Sequence, residues 1–492
     1  MFRRSLPCEG PRVVSCVDAL RDLRDGASIA VGGFGRCGVP FGLLRQLRKD
    51  GRKNLHLISA VNGGGSCVAL GPLLRDGQVR TITTSYVGLD TILCEQLVKG
   101  AVRLDLCPLD SLAERLRCGG AGIPAFYTPT GFGTGLTHGE FPVAFAGDGS
   151  GHVTEYAAPR ETREIGGRWC VLEHALQADY AFVKAWKADR RGNLRFRGNS
   201  RNLNAAMATC AKTCIAEVEE LVEVGDLDPE EVHIPAVYVD RVVLSEVPRC
   251  PASHAPPAAK DGGLAELTKK QQRILQRAAL ELHQDMHVKL GVGISSMVAQ
   301  FLPSHVRPLL HYECGMLCSG RQPKKGEAVN ADLAEATDGA VGVAEPGASF
   351  FDTNVSAALL RGGHLDVTLL DAFQVSASGN IAGWHGPEQV PFIETGAMDV
   401  ICCGGRSIAL LEHTGEDGEP RIVEHCDRPV TGKWMANTII TDLAVFDVVC
   451  RGGNARQLML KEVAEGVTVE ELRAKTAAPF LLPAELKAMQ HA

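Results

Sequence analysis

Two patterns of apolar and polar residues alternate along the chain: short apolar runs, and longer segments with apolar residues at helical spacing. Short runs that end in polar or glycine-rich turns predict β-strands. The runs of this kind are residues 27–31, 54–59, 80–85 and 180–185 in the first half and 307–312, 366–370, 399–403 and 445–449 in the second. Ile274, Leu275, Ala278 and Leu282 recur at helical spacing and predict a helix that opens the second half. Strands that alternate with helices predict an α/β fold.

A proline-rich segment divides these elements into halves of similar size. Residues 247–263 hold four prolines, small residues and a closing pair of glycines, a composition that favours an extended linker. Each half also begins with a strand that leads into a Gly-x-Gly step. We therefore predict two related α/β domains joined by a linker. The predicted boundaries are a tail at 1–12, a first domain at 13–247, the linker at 248–263 and a second domain at 264–492.

Charge and hydropathy narrow the class of function. The 492-residue chain carries 51 basic and 58 acidic side chains, a formal net charge of −7 at pH 7. This mild acidity argues against a nucleic-acid partner, because such binding depends on a basic surface. No apolar run approaches the roughly 18 residues that span a bilayer, so we expect no membrane span.

The 17 cysteines indicate core residues better than disulfides or a metal site. No Cys-x-x-Cys pair occurs, and Cys210 and Cys214, which would share one helix face, have no second pair to complete a zinc site. Many cysteines lie in apolar runs, where cysteine packs as a small apolar residue. We therefore expect no metal, and a reducing compartment.

The first residues form a short basic segment. They include two arginines and one serine, with no acid before Glu9. Such a segment resembles the remnant of an organelle transit peptide, although a plain flexible tail fits the same residues.

A glycine-rich segment between a strand and a predicted helix is the first candidate for ligand binding. Residues 33–38 match the pattern G-x-G-x-x-G, and Pro40 suits the first turn of a helix. A dinucleotide site also needs an acidic residue after the next strand, and residues 54–65 contain none. The segment therefore favours a tight turn that packs helix on strand, and it leaves open a nucleotide that carries an acyl group.

A basic stretch at residues 187–197 allows two interpretations. Its cations would suit the phosphates of coenzyme A, and its Arg-Gly-Asn turn predicts a hairpin with solvated charges. We favour the hairpin.

Several segments together resemble the class I coenzyme A transferases, in particular the members that use succinyl-CoA and a 3-oxo acid. The segments that carry the resemblance are residues 25–40, 112–134, 183–189, 346–351, 361–366, 374–376 and 431–433. The resemblance covers the chain from about residue 13 onwards, with two subunit-like halves fused in one chain. It implies two related α/β domains with an active site between them, usually in a homodimer.

The resemblance also implies an activity and a set of site residues. The activity is transfer of CoA from succinyl-CoA to a short 3-oxo acid such as acetoacetate, or to acetate, through a glutamyl–CoA thioester. It needs no cofactor besides CoA as a substrate, and it implies a location in the mitochondrial matrix. The nucleophile corresponds to Glu313, with Gly315 and Gly396 supporting the oxyanion. The residues that correspond to substrate or CoA binding are Gly32, Gly33, Phe34, Gly35 and Gly38.

The local sequence around Glu313, taken without the resemblance, is also compatible with a carboxylate in an active site. An apolar strand that ends in glutamate before a glycine puts a carboxylate at the edge of a sheet, where α/β sites form. Without the resemblance, the same pattern is typical of an exposed turn glutamate. Cys314 adds a thiol beside it that would exchange with a thioester.

Three segments near the site depart from the family pattern. The family's Ser-Glu-Asn-Gly is Tyr-Glu-Cys-Gly at 312–315, and its Pro-Gln-Gly-Thr-Leu-Ala-Glu-Arg is Pro-Leu-Asp-Ser-Leu-Ala-Glu-Arg at 108–115. Its Gly-Met-Gly-Gly-Ala-Met-Asp loop is Ile-Glu-Thr-Gly-Ala-Met-Asp at 393–399. The resemblance implies that the family's glutamine donates to the oxyanion, and Leu109, which stands at that position, has no donor. These departures fit an enzyme of altered specificity, or a transferase fold that serves as a structural subunit of a larger assembly.

Overall fold

The computed structural model describes most of the chain between residues 12 and 490. The described residues are 12–60, 69–87, 91–246, 267–291, 293–318, 332, 344, 346–383, 398–399, 405–450 and 456–490. The predicted linker at 248–263 lies outside them, as do residues 1–11 of the predicted tail and Gly396. The domain boundaries therefore stay a prediction.

Strands and helices alternate through the first half. Its strands are β1 (Arg12–Val13), β2 (Ser28–Val31), β3 (Leu55–Ile58), β4 (Val79–Thr84), β5 (Arg103–Leu106), β6 (Ala125–Thr128), β7 (Pro142–Phe145), β8 (Val153–Tyr156), β9 (Thr162–Ile165), β10 (Arg168–His174), β11 (Ala178–Asp189), β12 (Leu194–Arg195), β13 (Ala211–Val222) and β14 (Arg241–Leu244). Its α-helices are α1 (Cys16–Ala19), α2 (Phe41–Asp50), α3 (Gly71–Arg75), α4 (Thr91–Val98), α5 (Leu109–Ala121), α6 (Gly135–His138) and α7 (Asn204–Cys210). Short 3₁₀ helices lie at Gly198–Arg201, Pro229–Glu231 and Ala236–Tyr238.

The second half has more strands than helices among its described residues. Its strands are β15 (His287–Leu290), β16 (Leu309–Tyr312), β17 (Met316–Cys318), β18 (Ser349–Phe350), β19 (Val367–Asp371), β20 (Gln374–Ser376), β21 (Ile381–Ala382), β22 (Arg406–Leu410), β23 (Ile422–Val423), β24 (Thr438–Ile440), β25 (Ala444–Cys450), β26 (Arg456–Val463), β27 (Phe480–Leu481) and β28 (Lys487–Ala488). Its α-helices are α8 (Lys269–Ala279), α9 (Thr353–Arg361) and α10 (Val469–Lys475), and a 3₁₀ helix spans Ile294–Phe301.

Nine of the fourteen described strands of the first half build one sheet, and the other five form a three-stranded and a two-stranded sheet. The order of the nine-stranded sheet is β1-β14-β13-β11-β2-β3-β4-β5, with β12 paired to β11. Neighbours along this order are parallel, whereas β12 joins β11 in an antiparallel hairpin. Parallel strands are buried on both faces and form nearly continuous apolar runs. For that reason the sequence pattern predicts β2, β3, β4 and β11 correctly.

The described strands of the second half build a separate, eleven-stranded sheet. Its order is β18-β17-β16-β15-β19-β22-β24-β25-β26-β27, with β28 on β26. The strands β16, β15, β19, β22 and β24 are parallel, and antiparallel pairs extend the sheet at both ends. The two sheets share no described strand, so the predicted pair of α/β domains is confirmed. The halves meet where α5 packs against α9.

Several local predictions can be compared with these elements. Helix α2 begins after Pro40 and ends at Gly51, whose φ of 66° gives a left-handed cap. Helix α8 buries Ile274, Leu275 and Ala278 on one face, as the spacing predicts. The stretch at 187–197 is the hairpin of β11 and β12. The strand predicted at 399–403 differs from the structure at its start, because Asp399 is helical, and residues 400–403 lie outside the described part of the chain.

No helix within the described segments has the length and apolar character needed to cross a bilayer. The cysteines in those segments are free thiols, and most of them are buried.

Candidate active site

Glu313 lies in the turn between β16 and β17, at the carboxyl end of a parallel strand. Gly315 closes this turn, with its N–H donating to the carbonyl of Tyr312 at 3.0 Å and a φ of 101°. A Cβ on this glycine would lie 2.0 Å from the carbonyl oxygen of Phe351. Only glycine fits there, and the turn holds the glutamate at the sheet edge that the sequence pattern indicates.

The ammonium of Lys289 lies 2.9 Å from Oε1 of Glu313. Lys289 is on β15, and its register partner on β16 is His311, two residues before the glutamate. Because side chains two residues apart lie on the same face of a strand, this register brings lysine and glutamate together. The two side chains are 8% and 17% exposed. Within the described part of the chain, Lys289 is the ion-pair partner of Glu313, and the second carboxylate oxygen faces no described donor.

His311 is buried next to this pair and adds no charge to it. Its Nε2 lies 2.9 Å from the hydroxyl of Ser356. Burial, with a smaller contribution from Lys289, lowers the pKa of His311 to about 3. The imidazole is therefore neutral at physiological pH.

Two buried aspartates from distant parts of the sequence meet at the start of α5. The backbone N–H of Asp110 donates to Oδ2 of Asp399 at 3.0 Å, and both side chains are 1% exposed. Burial raises the pKa of Asp110 to about 7, and the Glu313 carboxylate adds to that rise. Burial and the neighbouring Asp110 also hold the pKa of Asp399 well above its usual range. Two carboxyl groups this close do not both ionise easily, so the pair retains a proton near neutral pH.

An arginine joins the two halves beside this pair. Arg361, at the end of α9, donates from Nη1 to the carbonyl of Asp110 at 3.4 Å. Its Nη2 lies 3.5 Å from Oε2 of Glu114 on α5. Arg361 also lowers the pKa values of Asp110 and Asp399 and so partly offsets their burial.

The neighbours of Asp110 and Glu313 in sequence pack in one apolar cluster. Leu109 and Cys314 are each 3% exposed and both belong to it. The Sγ of Cys314 accepts from Nδ2 of Asn199 at 3.1 Å, and burial raises the pKa of this thiol to about 12. A thiol with such a pKa is a poor nucleophile at neutral pH, so the thioester exchange that its position in the sequence suggests is not expected.

The glycine turn of the first half packs in the same cluster. Phe34 and Cys37 exchange two backbone hydrogen bonds of 3.0 Å, and both side chains are buried in the cluster with Leu109. A Cβ on Gly32 would lie 1.7 Å from Oδ1 of Asn204, and one on Gly38 would lie 2.7 Å from its Nδ2. The left-handed conformations in this turn belong to Gly33, Gly35 and Gly38. Close packing explains these glycines, and a role for Gly32, Gly33, Phe34, Gly35 and Gly38 in CoA binding stays a prediction.

An asparagine-rich segment connects that turn to the turn of Glu313. Asn202 donates to the carbonyl of Cys37 at 3.2 Å, and its own carbonyl accepts from the N–H of Thr353 at 3.2 Å. Asn199, in the same segment as Asn202, donates to the thiol of Cys314 beside Glu313. The structure thus brings the predicted glycine turn and the predicted nucleophile to one region. Gly396, the remaining predicted site residue, lies outside the described residues.

A cavity of about 240 Å³ opens where the two halves meet. Its lining includes three cations and three aromatic rings, which are Arg168, Lys433, Arg456, Phe132, Trp169 and Trp434. None of the described residues that line it is acidic, so it favours an anionic group. Thr134 in its wall contacts Met398, the residue before Asp399, at 4.0 Å between oxygen and sulfur.

The sequence analysis does not predict Lys289 or the Asp110–Asp399 pair as site residues. A lysine within the apolar strand His287–Leu290 is the local signal for Lys289. The aspartate pair has no local signal, because its members are 289 residues apart. Across the described segments, no group of His, Cys, Asp and Glu side chains is arranged to hold a metal ion.

Comparison with known proteins gives consistent matches along the chain. The family model described as Coenzyme A transferase matches residues 13–245 and 271–475. The mouse protein named succinyl-CoA:3-ketoacid coenzyme A transferase 2A, mitochondrial, is 40% identical over 481 residues, which cover 96% of this chain and 90% of the mouse protein. The human protein named succinyl-CoA:3-ketoacid coenzyme A transferase 2, mitochondrial, is 40% identical over 480 residues, with the same coverage of the two chains.

A solved structure has the same fold. The acyl-CoA transferase YdiF apoenzyme from Escherichia coli O157:H7 superposes with a TM-score of 0.72 at 19% identity, covering 100% of this chain and 97% of that one. At this identity the likeness supports the arrangement of two α/β halves and nothing finer.

Proposed function

Because the chain belongs to the coenzyme A transferase family, we propose that it moves CoA from succinyl-CoA to a short 3-oxo acid, with Glu313 as the nucleophile. The observation that carries this proposal is the Glu313 carboxylate at the end of β16, which has Lys289 as its described ion-pair partner. The 40%-identical mouse and human proteins are named for succinyl-CoA and a 3-ketoacid, which supports the choice of substrates. Acetoacetate is the expected acceptor, and acetate is a second.

The chemistry requires a carboxylate because a covalent intermediate divides one difficult exchange into easier steps. A carboxylate oxygen of Glu313 forms a bond to the thioester carbonyl carbon, and the C–S bond breaks with its electron pair leaving on the CoA sulfur. The thiolate then attacks the glutamyl carbonyl of the mixed anhydride and releases succinate, which leaves a glutamyl–CoA thioester. The acceptor carboxylate repeats these steps in reverse and leaves as the new CoA thioester.

The described surroundings of Glu313 suit this sequence of steps. Water would hydrolyse both intermediates, and Leu109, Cys314 and Phe34 form a dry apolar wall beside the turn. CoA and both acids are anions, and the cationic cavity between the halves offers them a favourable field. Binding energy from such contacts can be used to bring thioester and carboxylate together.

The proposal includes a setting for the reaction. CoA is a substrate, and no metal or redox group takes part in the steps above. The mouse and human relatives are named as mitochondrial, and we extend a mitochondrial location, in the matrix, to this chain. The working form is a homodimer.

Covalent labelling tests the proposal. Incubation of the full chain with succinyl-CoA should give a glutamyl–CoA thioester, which borohydride reduces and peptide mass spectrometry locates at Glu313. The Glu313→Gln variant should take no label and transfer no CoA.

Glu220→Gln is the matched control, because Glu220 also pairs with a lysine, Lys187, at 3.0 Å but is 49% exposed and belongs to the sheet of the first half, not to that of Glu313. It should be labelled at Glu313 like the wild type. Absence of label from the wild type at millimolar succinyl-CoA would contradict the proposal and favour the structural-subunit hypothesis.

A further inference from the structure

Asp110 is a buried acid that the reaction steps above do not use. It lies in the first turn of α5 and is 1% exposed. Neither of its carboxyl oxygens has a hydrogen-bond partner among the described residues. Buried polar groups without partners are rare in folded proteins and need an explanation.

The surroundings of Asp110 come from both halves of the molecule. The charged groups that face it are Arg361 from α9, Glu114 from its own helix, Lys289 from β15, Glu313 from the turn after β16, and Asp399. Two of these groups are cations and three are carboxyl groups. Leu109 and Cys314, the sequence neighbours of Asp110 and Glu313, pack in one apolar cluster, and the Glu313 carboxylate contributes to the raised pKa of Asp110.

The Asp110–Asp399 pair retains a proton near neutral pH. Burial raises the pKa of Asp110 to about 7, and that of Asp399 lies well above its usual range. The N–H of Asp110 already supplies one donor to Asp399. Asp110 has no such donor, so its carboxyl group is the member of the pair that is free to donate to a third group.

The need for a donor at this place follows from Leu109. The family has glutamine at this position, and here the leucine side chain is buried in the apolar cluster with Cys314. Asp110 follows Leu109 in the first turn of α5, a 13-residue helix. The dipole of this helix would help to stabilise the negative charge of an oxyanion at its N-terminus.

We propose that Asp110 donates a hydrogen bond to the thioester oxygen while Glu313 attacks. It would take the place of the donor that Leu109 does not supply. This inference rests on the proposed function. As the Glu313 oxygen bonds to the carbonyl carbon, the π electrons move onto the carbonyl oxygen, and the Asp110 O–H stabilises that oxyanion. When the oxyanion collapses, the C–S bond breaks and its electron pair leaves on the sulfur. The proton stays on Asp110 throughout, so no proton is gained or lost in the step.

The proposal gives a pH dependence with a definite sign. The donor exists only while Asp110 itself holds a proton, so kcat should fall as pH rises through about 7. Asparagine at this position donates from an amide that does not titrate, whereas alanine donates nothing.

The experiment measures kcat against pH for the full-length wild type, Asp110→Asn and Asp110→Ala. The alanine variant should lose roughly 10²–10³-fold in kcat, the usual effect of removing one oxyanion donor. The asparagine variant should stay within several-fold of wild type and lose the alkaline fall. If the alanine variant does not fold, the pH profile of the asparagine variant decides alone.

Asp371→Asn is the matched control. Asp371 is a half-buried aspartate whose pKa is likewise raised by desolvation, to about 6, but its carboxylate accepts from the hydroxyl of Ser295 at 2.6 Å. This variant should keep the alkaline fall of the wild type.

Three results would overturn the proposal: an alanine variant as fast as wild type, an asparagine variant that keeps the alkaline fall, or an Asp110→Gly variant faster than wild type. The last would mean that the acid repels the oxyanion. Failure of the proposed function is distinguishable, because the wild type itself would then form no thioester at Glu313.

Discussion

Each half of the molecule contains a lysine–glutamate pair close to its parallel sheet, and the two carboxylates differ in how many donors they share. In the first half, Glu217 accepts from Lys184 Nζ at 3.0 Å, from the Ser245 hydroxyl at 2.6 Å and from the N–H of Leu43 at 3.0 Å. In the second half, Glu313 has Lys289 at 2.9 Å as its described ion-pair partner. Three donors fix the Glu217 carboxylate in place, whereas among the described residues Glu313 has one ion-pair partner, on a single carboxylate oxygen. The two glutamates therefore share an ion pair with lysine and differ in the number of described donors and in exposure, which is 1% for Glu217 and 17% for Glu313.

The largest effect expected from this comparison is on activity. Glu313→Gln should lower CoA transfer by at least roughly 10⁴-fold, because an amide is no nucleophile. The amide oxygen of glutamine still accepts from Lys289 and no further described donor would face its NH₂ group, so the free energy of unfolding should fall by less than it does for Glu217→Gln. Steady-state transfer and urea unfolding measure the two quantities. Loss of activity together with a loss of stability as large as that of Glu217→Gln would contradict the comparison.

The next effect is on stability in the first half. Glu217→Gln should lower the free energy of unfolding by about 3–5 kcal/mol, the usual cost of breaking a buried pair. Glutamine would turn an NH₂ group toward one of the three donors, and Lys184, whose side chain is 9% exposed, would lose its counter-charge. Activity per folded molecule should stay near that of wild type. A melting temperature unchanged by this substitution would show that the donors around Glu217 do not fix it.

Lys289, the ion-pair partner of Glu313, should affect activity less than the proposed nucleophile itself does. Lys289→Met keeps the length of the side chain and removes the ammonium that orients the Glu313 carboxylate. We expect about a tenfold fall in kcat, equivalent to roughly 1.4 kcal/mol in the barrier, with the substrate KM unchanged. Lys289→Arg should recover part of the rate, because the positive charge returns. Equal kcat values for the methionine variant and the wild type would show that Lys289 does not contribute to the reaction.

The two halves also show which features local sequence can predict. The parallel strands β2, β3 and β19 bury both faces and are therefore readable as apolar runs. The pattern also places Glu313 at the end of such a strand, two residues before a glycine, but the same pattern is typical of an exposed turn glutamate, and the family resemblance is what singles this residue out.

The contact partners of these residues cannot be predicted from the local sequence, because they depend on strand register and on contacts between distant segments. Lys289 faces Glu313 only because β15 pairs with β16 in one register, Lys289 opposite His311. Asp110 and Asp399 meet across 289 residues of sequence. The glycine turn is similar: its pattern predicts a tight turn, but the side chain of Asn204 that packs against Gly32 comes from a distant helix.

The smallest effects are expected along one ladder, where chemistry and strand pairing are constant and burial varies. Lys184 pairs with Glu217 and Lys187 with Glu220 as register partners on β11 and β13, at the same 3.0 Å. The glutamate side chain is 1% exposed in the first pair and 49% in the second. Exposed pairs contribute about 0–1 kcal/mol, because water solvates each charge nearly as well as its partner does. Glu220→Gln should therefore change the free energy of unfolding by less than about 1 kcal/mol, and added salt should shrink that change further, while the effect of Glu217→Gln is insensitive to salt. Urea unfolding of both variants at low and high ionic strength measures the difference, and equal losses at the two positions would mean that strand pairing, not burial and donor number, sets the value of a lysine–glutamate pair in this fold.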